Sequence, residues 1–202
     1  MVTVYIEGGG EDNSLKTACR QAFTKLFEKA GFKGRMPTPI ACGSREEAFK
    51  KFRTHLRDRG PTELAILLVD AEGPVTHASP WDHVQSREGD KRDKPEGATD
   101  DHLHLMVQCM EAWLLADRPT LVKFYGNGFN ERALPPATAN PEQVHKRDVY
   151  DALKSATRNT KTKGRYGKSE HSFKLVAMLD LRLVRTTCAG AERFFATLDG
   201  LA

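Results

Sequence analysis

The sequence predicts an α/β protein: an open, mostly parallel sheet flanked by helices, followed by a helical and basic C-terminal appendage. Three observations carry that expectation. The first half of the chain alternates between segments rich in β-branched residues and segments with the helical period. Leu64 to Val69 is a continuous apolar run, as expected of a strand covered on both faces. Beyond Pro119, strand character gives way to helical segments separated by Gly and Pro. Residues 1–118 are therefore read as the α/β domain, and residues 119–202 as a helical, basic subdomain packed on it.

The elements follow in order. Val2 to Glu7 is β-rich and stops at Gly8-Gly9-Gly10. From Asp12, the expected N-cap, apolar residues recur at Leu15, Cys19, Ala22, Phe23, Leu26, Phe27 and Ala30, one stripe of a charged helix that ends near Gly31. A short strand over Pro39 to Cys42 precedes Ser44-Arg45-Glu46-Glu47, a capping-box pattern. Ala48, Phe49, Phe52 and Leu56 supply the buried face of the helix it opens. The third strand runs from Leu64 to Val69, and the β-α-β-α-β order predicts right-handed crossovers. Gly73 to Asp101 reads as one long charged loop anchored by Trp81. His102 to Met110 restores strand character and would place His102 and His104 on one face; Glu111 to Ala116 begins a helix. Trp113 reads as core. Later helices are expected near Arg147–Thr157, Ser172–Met178 and Glu192–Leu198.

Composition narrows the function classes. The chain has 202 residues, 39% hydrophobic and 29% charged, which suits a soluble globular protein and offers no apolar run long enough to span a bilayer. The first residues lead straight into a strand, so a cytoplasmic location is expected. Cys19, Cys42, Cys109 and Cys188 form no CxxC pair, which argues against a structural zinc site or a disulfide framework. The net charge is only +4, yet eight Lys/Arg face two acids (Asp148 and Asp151) between Lys146 and Lys168, a local balance of +6. Within that stretch Lys161, Lys163, Arg165 and Lys168 are interleaved with Tyr166, and His171 follows. Cations of this kind contact phosphates and an aromatic can stack on an unpaired base, so this segment is the expected nucleic-acid contact.

Ligands of open parallel sheets gather at the carboxyl ends of the strands. Glu7 closes the first predicted strand, Asp70 and Glu72 the third, and Glu111 follows the fourth. The i, i+2 spacing of Asp70 and Glu72 puts both on one side if the strand continues through Ala71. Neighbouring carboxylates repel unless a cation neutralises them, and hard oxygen ligands suit Mg²⁺ or Mn²⁺. The triple glycine lacks the lysine of a P-loop and the spacing of a dinucleotide fold, so it reads as a turn that keeps Glu7 accessible.

A strand ending in Ile6-Glu7-Gly8, a β-α-β-α-β order and an acid-x-acid after the third strand together resemble the Toprim fold of primases, topoisomerases and related nucleases. More closely, VYIEGGGED, IACGSREEAF, LLVDAEGPV, ATDDHLHLMVQCMEAWLLAD and KTKGRYGKSEHSF resemble a Toprim-like bacterial family known as domain of unknown function 4276. The resemblance implies a nuclease that hydrolyses phosphodiesters of DNA or RNA with Mg²⁺ or Mn²⁺. In several relatives it implies a role beside an ATPase in anti-phage defence. Glu7 matches the glutamate assigned proton transfer, Asp70 and Glu72 match the metal-binding pair, and Glu111 belongs to the closer family's motif. The chain departs from the pattern twice. The second acid of the pair is Glu72 where an aspartate is usual, and Glu11 stands where the first motif has its aspartate, with Asp12 displaced by one. These departures support a competing expectation, a degenerate module that binds nucleic acid or a partner ATPase without turnover. Expected partners are thus nucleic acid and an ATPase, with no membrane; a homo-oligomer is compatible with the sequence.

Overall fold

The structure is a computed structural model that describes residues 1–60 and 62–201. Four parallel strands, β1 (Val2–Gly9), β2 (Thr38–Gly43), β3 (Leu64–Asp70) and β4 (Leu103–Met106), form one open sheet in the order β2-β1-β3-β4. Helix α1 (Asn13–Lys29) crosses from β1 to β2 and α2 (Arg45–Asp58) from β2 to β3. The chain leaves β1 toward one edge and returns on its other side at β3. The strand order therefore reverses between β1 and β3, the place where doubly wound sheets bind ligands.

Strand alternation divides the core. Val4, Ile6, Ile66, Leu68 and Met106 pack with Phe23, Leu26 and Phe27 of α1 in one cluster. Tyr5, Ala65, Leu67, Val69 and Leu105 pack with Phe49, Phe52 and Leu56 of α2 in the other. The apolar run of β3 thus has a helix over each face, and each fully buried Phe or Leu adds about 1.5–3 kcal/mol of stability. Asp12 caps α1 by accepting from the Ser14 N–H at 2.6 Å, and the Ser44 hydroxyl accepts from the Glu47 N–H at 3.2 Å.

The remaining helices are α3 (Pro80–Ser86), α4 (Ala112–Ala116), α5 (Arg118–Tyr125), α6 (Lys146–Ala156), α7 (Lys168–Val176), α8 (Leu181–Thr187) and α9 (Ala189–Gly200). Residues on both sides of position 118 share the α1-side core; the Phe27 and Phe194 rings, for example, lie 6.2 Å apart. Trp113 is fully buried there. All four cysteines are buried and unpaired. No helix among the described residues is long and apolar enough to cross a membrane.

Four expectations need correction. The segment after Gly73 is not one loop: Ser79 caps α3 through the Trp81 N–H at 3.2 Å, with Pro80 in its first turn. Trp81 anchors that helix, its indole N–H donating to the Thr99 carbonyl at 2.9 Å. The boundary drawn between residues 118 and 119 falls inside α5, where Pro119 sits in the first turn and Asp117 caps the helix by accepting from the Thr120 N–H at 3.1 Å. Strand β4 stops at Met106, short of Met110. Finally, His102 and His104 do not share a face. His102 closes a 3₁₀ turn against Phe52, while His104 lies in β4 against Phe194 on the other side of the sheet. Burial, with Arg193 beside it, pushes His104 down to about 3.

Candidate functional site

Glu7 and Asp70 sit side by side at the carboxyl ends of β1 and β3, and the Asp70 N–H donates to Glu7 Oε2 at 3.1 Å. The glycines extend β1 rather than closing it early, and Glu7, Gly8 and Gly9 all register against Gly43 in an irregular ladder. This close approach demands glycine. At Gly43, with φ +81°, a Cβ would stand 2.2 Å from the Gly10 carbonyl oxygen. Gly43→Ala is expected to lower the unfolding free energy by about 2–4 kcal/mol in urea titrations, since the nearest atoms belong to the Gly10 backbone.

Arg45, the first residue of α2, is the hub of the site. Its Nε donates to Glu7 Oε2 at 3.0 Å, its Nη1 to Asp90 Oδ2 at 3.2 Å and its Nη2 to Glu72 Oε1 at 3.1 Å. Nη2 also donates to the Asp70 carbonyl at 3.2 Å. Burial alone would lower the guanidinium's pKa, but Glu7, Asp90 and Glu72 outweigh it and raise it. Asp90 comes from the segment read as a loop, and Arg87 also pairs with it at 3.0 Å.

Glu72 reaches this hub by a route other than strand alternation. Strand β3 ends at Asp70, and Glu72 adopts the left-handed conformation with φ +64°. Its Oε1 also accepts from Lys146 Nζ at 2.5 Å, and the same ammonium donates to Asp70 Oδ2 at 3.3 Å. Burial would raise the Glu72 carboxyl, but Lys146 and Arg45 reverse that and lower it.

Asp70 behaves in the opposite sense. Its Oδ1 accepts from the Met110 N–H at 2.9 Å, yet burial, reinforced by the charges of Glu111 and Glu7, raises its carboxyl to about 7 despite Lys146 and Lys168. Glu111, fully buried at the start of α4, accepts from Tyr150 at 2.9 Å, Ser172 at 3.0 Å and Tyr166 at 3.3 Å. Lys168 Nζ stands 3.8 Å from it and donates to the Tyr150 hydroxyl at 2.8 Å.

A cavity of about 290 Å³ opens over Glu7 and Asp70, walled by Gly8–Gly10 and by Lys168, Ser169 and Ser172 of α7. Lys161, Lys163 and Arg165 are exposed on the segment leading into α7, as a phosphate-contacting role requires. Tyr166 and His171 do not join them. Both are buried: Tyr166 turns inward to Glu111 and Ser172, and the His171 Nδ1 accepts from the Gly167 N–H at 3.1 Å. The ring read as a stacking platform is a core residue with a buried hydroxyl partner.

Among the described residues, no three His, Cys, Asp or Glu side chains converge as a preformed ligand set. The donor chemistry at Asp70 and Glu7 nevertheless fits a hard divalent cation: oxygen ligands only, on two adjacent strand ends, and a cavity giving access. Glu72 does not fit in the same way, because two cationic side chains already hold it. Arg45 is visible in the sequence without its partners. Lys146, Asp90, Tyr150 and Ser172 carry no local signal, since each meets the acids only through the tertiary fold.

A family model described as "Domain of unknown function (DUF4276)" matches residues 6–199, from β1 into α9, and so takes in every residue of the site. No curated protein and no solved structure matches the chain. On the strength of that match over nearly its whole length, the chain belongs to the DUF4276 family.

Proposed function

We propose that the chain is a Toprim-like phosphodiesterase that hydrolyses DNA or RNA with Mg²⁺ or Mn²⁺. One observation carries the reading: a single cavity combines an acidic floor, Asp70 beside Glu7, with the first turn of α7, Lys168 and Ser169, on its wall. A helix N-terminus with a lysine suits a phosphate, and the acids suit the cation that a phosphodiester needs beside it. A bound divalent ion would supply Lewis-acid polarisation of the phosphoryl oxygen. The chain's own residues do the rest. Glu7, oriented by Arg45, takes the proton of the attacking water as its oxygen bonds to phosphorus. The bond from phosphorus to the leaving ester oxygen breaks, and that oxygen gains a proton. Lys168 and the exposed Lys161, Lys163 and Arg165 hold the backbone. A cytoplasmic location accords with four unpaired cysteines. The ATPase partner and the place in anti-phage defence rest on the family resemblance.

The test is metal-dependent cleavage of labelled single- and double-stranded DNA and RNA. Asp70→Asn and Glu7→Gln are each expected to reduce it at least about 10³-fold, the scale of lost charge stabilisation or proton transfer, with the circular dichroism spectrum unchanged. Cleavage retained in Asp70→Asn rules the reading out. A second reading has its own support: Lys146 and Arg45 neutralise Glu72 within the protein, as in a module that has given up metal chemistry. That module binds nucleic acid or an ATPase, loses binding in Lys163→Ala/Arg165→Ala, and turns over nothing with any metal.

A further inference from the structure

We infer that Lys146 is a built-in cation in the place of a second metal ion, so that the Asp70-x-Glu72 pair leaves room for one divalent cation. The inference rests on the metal-dependent reading above. Paired carboxylates need positive charge between them, and Lys146 Nζ provides it, 2.5 Å from Glu72 Oε1 and 3.3 Å from Asp70 Oδ2. The lysine is held there at its main chain as well. Gln108, itself buried, accepts the Lys146 N–H on its side-chain oxygen at 3.2 Å and the Glu72 N–H on its carbonyl at 2.7 Å. One residue thus clamps both members of the ion pair. The departure from aspartate at position 72 acquires a reason: the extra methylene and the left-handed backbone carry this carboxylate to Lys146 and Arg45. Glu72 becomes the anchor of a fixed cation. Lys146 becomes a positioning residue that keeps one positive charge on the pair whether or not metal is present. The other side of Asp70 faces the cavity that it lines with Glu7, and that is where one divalent ion has access.

The experiment is Mn²⁺ titration by isothermal calorimetry of the full chain, paired with thermal unfolding with and without Mn²⁺. Wild type is expected to bind one ion and Lys146→Met two, with the variant's melting temperature lowered in chelator and restored by Mn²⁺. Glu72→Gln keeps one ion. Lys146→Gln, which retains a hydrogen bond to Glu72 without the charge, gives the same stoichiometric readout if the methionine variant does not fold. Two ions in wild type, loss of the ion in Glu72→Gln, or an unchanged count in both Lys146 variants overturns the inference while leaving the metal-dependent reading standing. No ion in wild type but one in the Lys146 variants shows the lysine filling the site alone, and overturns both the one-ion inference and that reading. No ion in any of them overturns both.

Discussion

Glu111→Ala is expected to lower the unfolding free energy by about 3–5 kcal/mol, whereas Glu111→Gln costs about 1 kcal/mol. The carboxylate is fully buried and receives three hydroxyls, from Tyr150 on α6, Tyr166 in the following loop and Ser172 on α7. It is the point at which the C-terminal helices are tied to the end of the sheet. Truncation leaves those hydroxyls facing a void. Tyr166 and Ser172, 2.7 Å apart, bond each other instead and Tyr150 keeps Lys168, which limits the loss to the range given. Glutamine preserves the shape and one acceptor, but its amide forces the Tyr150 hydroxyl to accept rather than donate. Urea unfolding followed by circular dichroism measures both variants. Burial, and then the charge of Glu111, raise the pKa of Tyr150 and Tyr166, so Glu111→Gln removes one of the causes that keep both hydroxyls protonated. An alanine variant as stable as the glutamine variant would show that Glu111 does not join the two halves.

How much of this was legible beforehand depended on the range of the contact. Leu64 to Val69 reads as a doubly covered strand because the signal is continuous in sequence, and the structure places α1 and α2 over its two faces. Glu7 and Asp70 are identifiable because strand ends in a parallel sheet converge, whatever the side chains later do. Glu111 is placed correctly after the fourth strand, but its neighbours are not, because the hydroxyls that cover it come from positions 150 to 172. Tyr166 illustrates the converse error. Among lysines it looks exposed, yet its ring belongs to the core while Lys161, Lys163 and Arg165 beside it face water. Helices α3 and α5 open on prolines, which serve equally as first-turn residues and as breaks, and each helix is too short for periodicity to decide.

Asp70→Asn is expected to stabilise the metal-free protein at pH 8 by up to about 4 kcal/mol even as it removes activity. The folded-state carboxyl is raised to about 7, first by burial and then by Glu111 and Glu7, while an unfolded aspartate titrates near 3.9. Between those values the folded chain holds a proton that the unfolded chain has lost. Stability is therefore full below about pH 4, falls as pH rises through 7, and stays low above it. The whole shift corresponds to about 4 kcal/mol. Asparagine does not ionise and still accepts the Met110 N–H on its oxygen, so it escapes that penalty, in which the attraction of Lys146 is already counted. Urea titrations from pH 4 to 8 give the check: the wild-type midpoint falls across the range, the variant's changes less, and the two meet near pH 4. Saturating Mn²⁺ closes the gap from the other side, because an ion that binds only the folded wild type stabilises it by RT ln(1 + [Mn²⁺]/Kd) and leaves the variant unmoved. A variant less stable than wild type at pH 8 would mean that Lys146 already balances Asp70 in full. The argument for a cation at this strand end would then lose its physical basis. A gain with the stated pH dependence makes Asp70 a residue kept at a cost to the fold, which is the pattern of a side chain retained for its chemistry.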